Sequence, residues 1–203
     1  NELSVVMRMV PSEDGYQASL TSDMAAFHER LISTKGNSVS TIETVYIPND
    51  DIFDPAVQSV FSYLDSVVIY SRDCYQQNLL PAIDPLASYS SVLNPQRSGE
   101  LHYQTAREAQ ALLKRGIALG RIASLVGVTE LSPEDRITYG RAKKLRNFMT
   151  QNFFTVEAQS GLPGQYVTLK TTINDVNQIL AGRFDSIPEE KFLYIGGIEE
   201  LGH

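Results

Sequence analysis

Helix-like and strand-like patterns alternate through residues 21–95 of this chain, and beyond about residue 100 the strand patterns stop. Residues 21–33 read as a capped helix with Met24, Phe27, Leu31 and Ile32 inward, ended by Lys35-Gly36-Asn37. The stretch "STIETVYIP" follows, where Ile42, Val45 and Ile47 predict a mostly apolar strand. Asp54-Pro55 then caps a helix over "PAVQSVFSYL", and "SVVIYS" has the β-branched run of a buried strand. Such alternation predicts a parallel sheet covered by helices. From 101 to 126, Ala, Leu and Ile recur at helical spacing, with interruptions predicted near Gly116 and Gly120. A further helix is predicted over about 172–181, stopped by Gly182, after a loop at "SGLPGQY". The expected fold class is α/β followed by all-α, without internal repeats.

Between the helical stretches lies "VTELSPEDRITYGRAKKLRNF", an acidic knot in front of a basic helix. Ser132 suits the N-cap, Pro133 the first helical position, and Glu134 and Asp135 the first turn, where the helix dipole favours negative charge. Ile137, Leu145, Phe148 and Met149 predict one buried stripe. Arg136, Arg141, Lys143, Lys144 and Arg146 predict a solvated charged face.

Net charge excludes one class of partner. At -7 over 203 residues, the chain lacks the basic excess with which nucleic-acid binders neutralise phosphates. Cys74 is the only cysteine, so neither an intrachain disulfide nor a thiolate metal cluster is available, which fits a reducing, intracellular compartment. No apolar run approaches the roughly 18–20 residues of a membrane span. The chain opens on Asn1 rather than Met, and we expect it to be a fragment of a longer protein.

Catalytic motifs are missing. No GxxxxGK[ST] phosphate cradle occurs, and His28, His102 and His203 have no metal-ligand spacing. Asp50, Asp51 and Asp54 in "PNDDIFDP" offer hard oxygens, but a loop in which Asp54 serves as an N-cap explains them better than a cation cluster. The Gly196-Gly197 pair lacks a full dinucleotide fingerprint and carries no functional weight. No catalytic residue and no metal site is expected here.

Several strings converge on one family. "VYIPNDDIFDPAVQSVFSYLDSVVIYSR", "LPAIDPLASYS", "GELHYQTARE" and "QILAGRFDSIPEEKFLYIGGIEE" resemble, nearly from end to end, the C-terminal half of the beta subunit of F-type rotary ATP synthases. TELSPED stands where that family carries DELSEED, a turn not expected in this setting in vacuolar or archaeal relatives. The resemblance implies the C-terminal part of a RecA-like nucleotide-binding domain over 1–98 and an α-helical bundle domain over 99–203. It implies ATP or ADP with magnesium as ligand, bound mainly by the half that precedes Asn1, so this chain alone is not expected to be active. The implied partners are alpha-type subunits in an alternating hexamer and a central gamma-type shaft. The implied location is the inner face of an energy-transducing or plasma membrane, touched only through the rest of the complex. The implied activity is coupling of ATP hydrolysis or synthesis to rotation and ion transport.

The resemblance also assigns residues. Three aromatic positions around the adenine fall on Leu80, Phe153 and Gln159, of which only Phe153 keeps a ring; Phe154 is an adjacent substitute. The departures admit a divergent, non-catalytic beta-like subunit with a structural or assembly role. The shaft would meet Thr129, Glu130, Leu131, Ser132, Pro133, Glu134 and Asp135 in the lever, with Thr129 and Pro133 replacing two family acids. It would also meet Asp51 and Asp54 in a catch loop, and "MVPSEDG" at 9–15 resembles the sleeve around its tip.

Overall fold

The computed structural model describes residues 2–202, apart from the side chains of Glu2, Gln159 and Ser160; Asn1 and His203 lie outside the described residues. The chain divides into two units, Asn1–Asp65 and Ser66–His203. The first holds α1 (Glu2–Val6), α2 (Leu20–His28), a 3-10 turn at Pro48–Asp50 and α3 (Pro55–Phe61). Asp54 caps α3 as its residue type predicts, accepting from the amides of Ala56 and Val57, and Val57 and Val60 bury the inner face. α2 is shorter than predicted. Its last residues give way to turns closed by a bridge between Thr34 and Asn37, and Phe27 and Ile32, expected inward, are exposed.

The second unit begins with β1 (Ser66–Val67) and continues through α4 (Arg72–Gln76), β2 (Tyr89–Ser90), α5 (Pro95–Ser98), α6 (Glu100–Val126), α7 (Pro133–Phe148), α8 (Glu157–Ser160) and α9 (Leu169–Leu180). β1 and β2 pair antiparallel, with Ser66 opposite Ser90 and Val67 opposite Tyr89, and a single bridge joins Tyr70 to Ile83. That pair is the only sheet among the described residues, in place of the parallel sheet predicted. Residues 42–47 do have an extended strand's alternation: Glu43, Val45 and Ile47 turn inward while Thr44 and Tyr46 face out and Ile42 is wholly exposed. A parallel strand is apolar on both faces because neighbours and helices cover both. Here no adjacent strand among the described residues takes up its amides and carbonyls, so the segment has a strand's pattern without a ladder.

The helical hairpin of α6 and α7 organises the rest. α6 runs unbroken for 27 residues through Gly116 and Gly120, where interruptions were predicted. Both glycines face α7 instead: a Cβ on Gly116 would lie 2.4 Å from the Cβ of Ala142, and one on Gly120 would lie 3.4 Å from the Tyr139 ring. Missing side chains let the helix axes approach; packing outweighs the modest cost of glycine within a helix. Leu145 and Phe148 of α7, Val176 and Ile179 of α9, Phe192 and Ile198 form the main core. Ile137 and Met149, predicted for the same stripe, are half exposed.

The basic face of α7 is not simply solvated. Lys144 is buried and its ammonium donates to the carbonyls of Phe184 (3.0 Å) and Asp185 (2.7 Å), with burial pushing its pKa down. Arg141 grips the Asp185 carboxylate, Lys143 pairs with Glu189 at 3.0 Å, and Asn147 donates to the Glu189 carbonyl at 2.8 Å. Four polar side chains over about two turns of α7 thus fasten the 184–192 segment onto it, the long apolar stems of the cations reaching over the core to carbonyls and carboxylates on its rim.

Candidate functional site

The two described segments expected to form an adenine pocket are joined through their backbones. Leu80, partly buried after the buried Leu79, accepts at its carbonyl the amide of Gln151, 2.8 Å away and two residues before Phe153. Side chains reinforce the junction. Arg146 donates to Gln77 (3.1 Å), the Tyr194 hydroxyl donates to the carbonyl of Asn78, and the Tyr194 carbonyl accepts from Asn152 (3.2 Å).

Beyond Gln151 the chain forms a closed loop. Gln165 donates its amide to the Asn152 carbonyl at 3.3 Å and Gly164 donates to Glu157 Oε1 at 2.7 Å. Gly164 is tight against the loop's start, since a Cβ there would lie 2.4 Å from the Phe154 amide nitrogen. The loop presents two neighbouring rings to solvent, Phe153 and, more fully, Phe154. Gln159 falls in α8, and its side chain lies outside the described residues. A separate groove of about 350 Å³, lined by Arg136, Ile137, Gly140, Lys144 and residues 185–189, includes none of these residues.

The TELSPED segment is a braced tip between α6 and α7. Gly127 ends α6 at a φ of 93°, a conformation open to glycine without strain, and a 3-10 turn follows at Val128–Glu130. Leu131 then turns inward, buried against Leu119 and Ala123 under Tyr139. Ser132 caps α7 by accepting the Asp135 amide at 3.1 Å, and its hydroxyl donates back to Asp135 at 2.9 Å. Arg115 reaches across from α6 to Asp135 at 2.6 Å. The bond from Arg115, then that from Ser132, holds the Asp135 carboxyl below its usual range, so this brace persists above the usual carboxylate pKa and is lost as pH falls through the lowered one. Arg136 clamps the carbonyls of Thr129 (2.9 Å) and Leu131 (3.3 Å).

Of the predicted lever residues, Thr129, Glu130, Ser132, Pro133 and Glu134 are exposed, Asp135 is partly covered by Arg115, and the Leu131 side chain is buried. Beside them stand residues that sequence reasoning missed: Ile122, Val126 and Val128 are about half exposed, and Leu125 is 85% exposed. The apolar run "ASLVGV", continuing into a turn instead of a polar surface, was the available signal.

In the first unit, Asp51 accepts the Phe53 amide at 2.9 Å, while Asp54 accepts both the α3 amides and the Tyr16 hydroxyl, whose nearer contact is 2.8 Å. That bond to Asp54 is the main reason the Tyr16 phenol is pushed above its usual range. Residues 9–15 lead into this contact through a turn in which Ser12 bonds the amide of Tyr16. Both carboxylates, Asp51 and Asp54, therefore shape the loop that carries them.

Comparison with known proteins gives this arrangement its class. Residues 1–90 match the model of the ATP synthase alpha/beta family, nucleotide-binding domain, and residues 92–188 match that of the C-terminal domain of V and A type ATP synthase. With both domains in tandem along it, the chain belongs to the ATP synthase family. Its fold is similar to that of a solved structure described as a unique ATP synthase subunit, NeqB, from Nanoarcheaum equitans. The TM-score is 0.75 at 24% identity, covering 92% of this chain and 44% of that one. The present chain thus spans less than half the length of that relative. No helix among the described residues is long and apolar enough to cross a membrane.

Proposed function

We propose that this chain is the C-terminal half of a beta-type subunit of an F-type rotary ATP synthase, coupling ATP binding and hydrolysis or synthesis to rotation of a central gamma-type shaft. The observation that carries this reading is the bond between Leu80 and Gln151, which joins the two segments resembling the adenine pocket at the root of the same domain that bears the lever. The V and A type model matches the second domain over residues that include TELSPED, so the F-type assignment rests on the resemblance of the sequence strings and not on that match. In this reading Leu80, Phe153 and Gln159 surround the adenine. The phosphates and magnesium are held mainly by residues outside this chain. Alpha-type subunits alternate with it in a hexamer peripheral to the inner face of a membrane. The boundary between its nucleotide-binding and helical parts falls at 98/99, supported by the start of α6 at Glu100.

The test is nucleotide titration of the full-length subunit. Stacking a base on an aromatic ring is worth roughly 1–3 kcal/mol. Phe153→Ala is therefore expected to weaken ATP and ADP alike by about 5- to 150-fold. Leu80→Tyr is expected to tighten both, because a ring adds dispersion over the base that a leucine cannot supply. Unchanged affinity in both variants would mean that the base is held elsewhere.

A second reading is a divergent, non-catalytic subunit with a structural or assembly role. It is favoured by the presence of one ring, Phe153, at the three positions that resemble the aromatic pocket. Nucleotide binding without multiple-turnover hydrolysis in the assembled complex would select it.

A further inference from the structure

Helix α2 ends on a histidine that neither the base pocket nor the lever uses. The His28 ring lies flat on that of Tyr63, with centroids 4.3 Å apart and planes within 10°, and meets the edge of Phe27 at 5.2 Å. Its Nδ1 is 2.8 Å from the Met24 carbonyl and its Nε2 is 3.2 Å from Glu43 Oε2. A carbonyl only accepts, so Nδ1 carries a hydrogen. An ionised carboxylate also only accepts, so either Nε2 carries a second hydrogen or Glu43 carries the proton. In both cases the pair holds one proton beyond a neutral imidazole facing a carboxylate. Removing it would turn the Nε2 lone pair toward a negative oxygen in a site nearly closed to water. The two side chains are 9% and 18% exposed, and the other Glu43 oxygen is buried with no hydrogen-bond partner among the described residues. A buried charge that loses its counterpart is the costly arrangement.

Glu43 belongs to the extended stretch before the Pro48–Asp50 turn, which has no β-ladder among the described residues. Its ties include the Val39 amide donating to Ser33 Oγ and the Glu43 contact with His28. We propose that His28 and Glu43 form a proton-operated clasp that fastens residues 38–47 to α2 and thereby orders the approach to the Asp51–Asp54 loop. Each element packed on the ring contributes: α2 the Met24 carbonyl and Phe27, the chain beyond α3 the Tyr63 ring, and the extended stretch Glu43, the charged group that faces it. The Met24 carbonyl, then Glu43, raises the His28 pKa against the burial that opposes them. The clasp is closed below the ordinary imidazole value and opens as pH rises through the raised one.

Nuclear magnetic resonance on this chain tests it. The His28 ring protons report its titration, and backbone order parameters report residues 40–47. The expected order parameters are about 0.85 near pH 6, falling below about 0.6 once His28 is deprotonated. Glu43→Gln is expected to lower the His28 titration point and to remove the pH dependence of order in the stretch. The clasp is refuted if order in the wild-type stretch does not change across the His28 titration, or if Glu43→Gln leaves that titration where it was.

Discussion

Gly116→Val is expected to destabilise the helical unit by about 3 kcal/mol, near the upper end for overpacking a well-filled core. The reason is local: the first added carbon alone would sit 2.4 Å from the Ala142 Cβ, closer than two carbons can pack, and valine adds two more. Straightening or parting α6 and α7 is the available relief, and both helices are pinned by the core at Leu119, Leu145 and Phe148. The control has the opposite sign. Gly140, within α7, has nothing within 4 Å of its would-be Cβ, so Gly140→Ala is expected to stabilise by up to about 1 kcal/mol through helix propensity alone. Urea unfolding followed by far-ultraviolet circular dichroism measures both shifts in midpoint. Equal and positive shifts would show that the hairpin is loose enough to admit a side chain at Gly116.

On the function proposed above, the second large effect concerns the tip of that hairpin in an assembled rotary complex. Deleting one turn from α6 or α7 is expected to abolish most torque, whereas Glu130→Ala with Glu134→Ala is expected to leave most of it. Ion pairs at a solvated surface are worth only about 0–1 kcal/mol and weaken with salt, too little to transmit a domain closure. The tip is instead built to be stiff: Leu131 plugs the hairpin from within, Arg136 clamps two tip carbonyls, and Arg115 holds Asp135 across the helices. Asp135 therefore acts inside the lever and not at its surface, and Asp135→Ala belongs with the bracing residues. Under the proposed function an outward contact would fall to the exposed apolar group, so Leu125→Ser with Val128→Ser is expected to cost more torque than the loss of Glu130 and Glu134. Single-molecule rotation under viscous load separates these outcomes. Stalling by the double alanine variant, with normal rotation of the shortened hairpin, would show that charge drives the contact.

Much of the local structure was legible because it depends on neighbours in the chain. Ser132, Pro133 and Asp135 predict the start of α7, and Asp54-Pro55 the start of α3, since a cap is satisfied by amides two or three residues away. The stop at Gly182 follows from a similarly short-range signal, and the family resemblance rests on whole strings of residues. What required the tertiary structure involves partners distant in sequence. Gly116 reads as a helix breaker until Ala142 is placed against it. Arg141, Lys143 and Lys144 read as a solvated face until the 184–192 turn folds over them, and Leu131 reads as part of an exposed tip until Leu119 and Ala123 cover it. His28 and Glu43, fifteen residues apart, show no motif at all, because only the fold sets the imidazole between two acceptors, the Met24 carbonyl and the Glu43 carboxylate. The apolar pattern at 42–47 is the converse case. Period-two alternation dictates an extended backbone, but a sheet also needs a second strand to receive its hydrogen bonds, and that partner is a property of the fold and not of the segment.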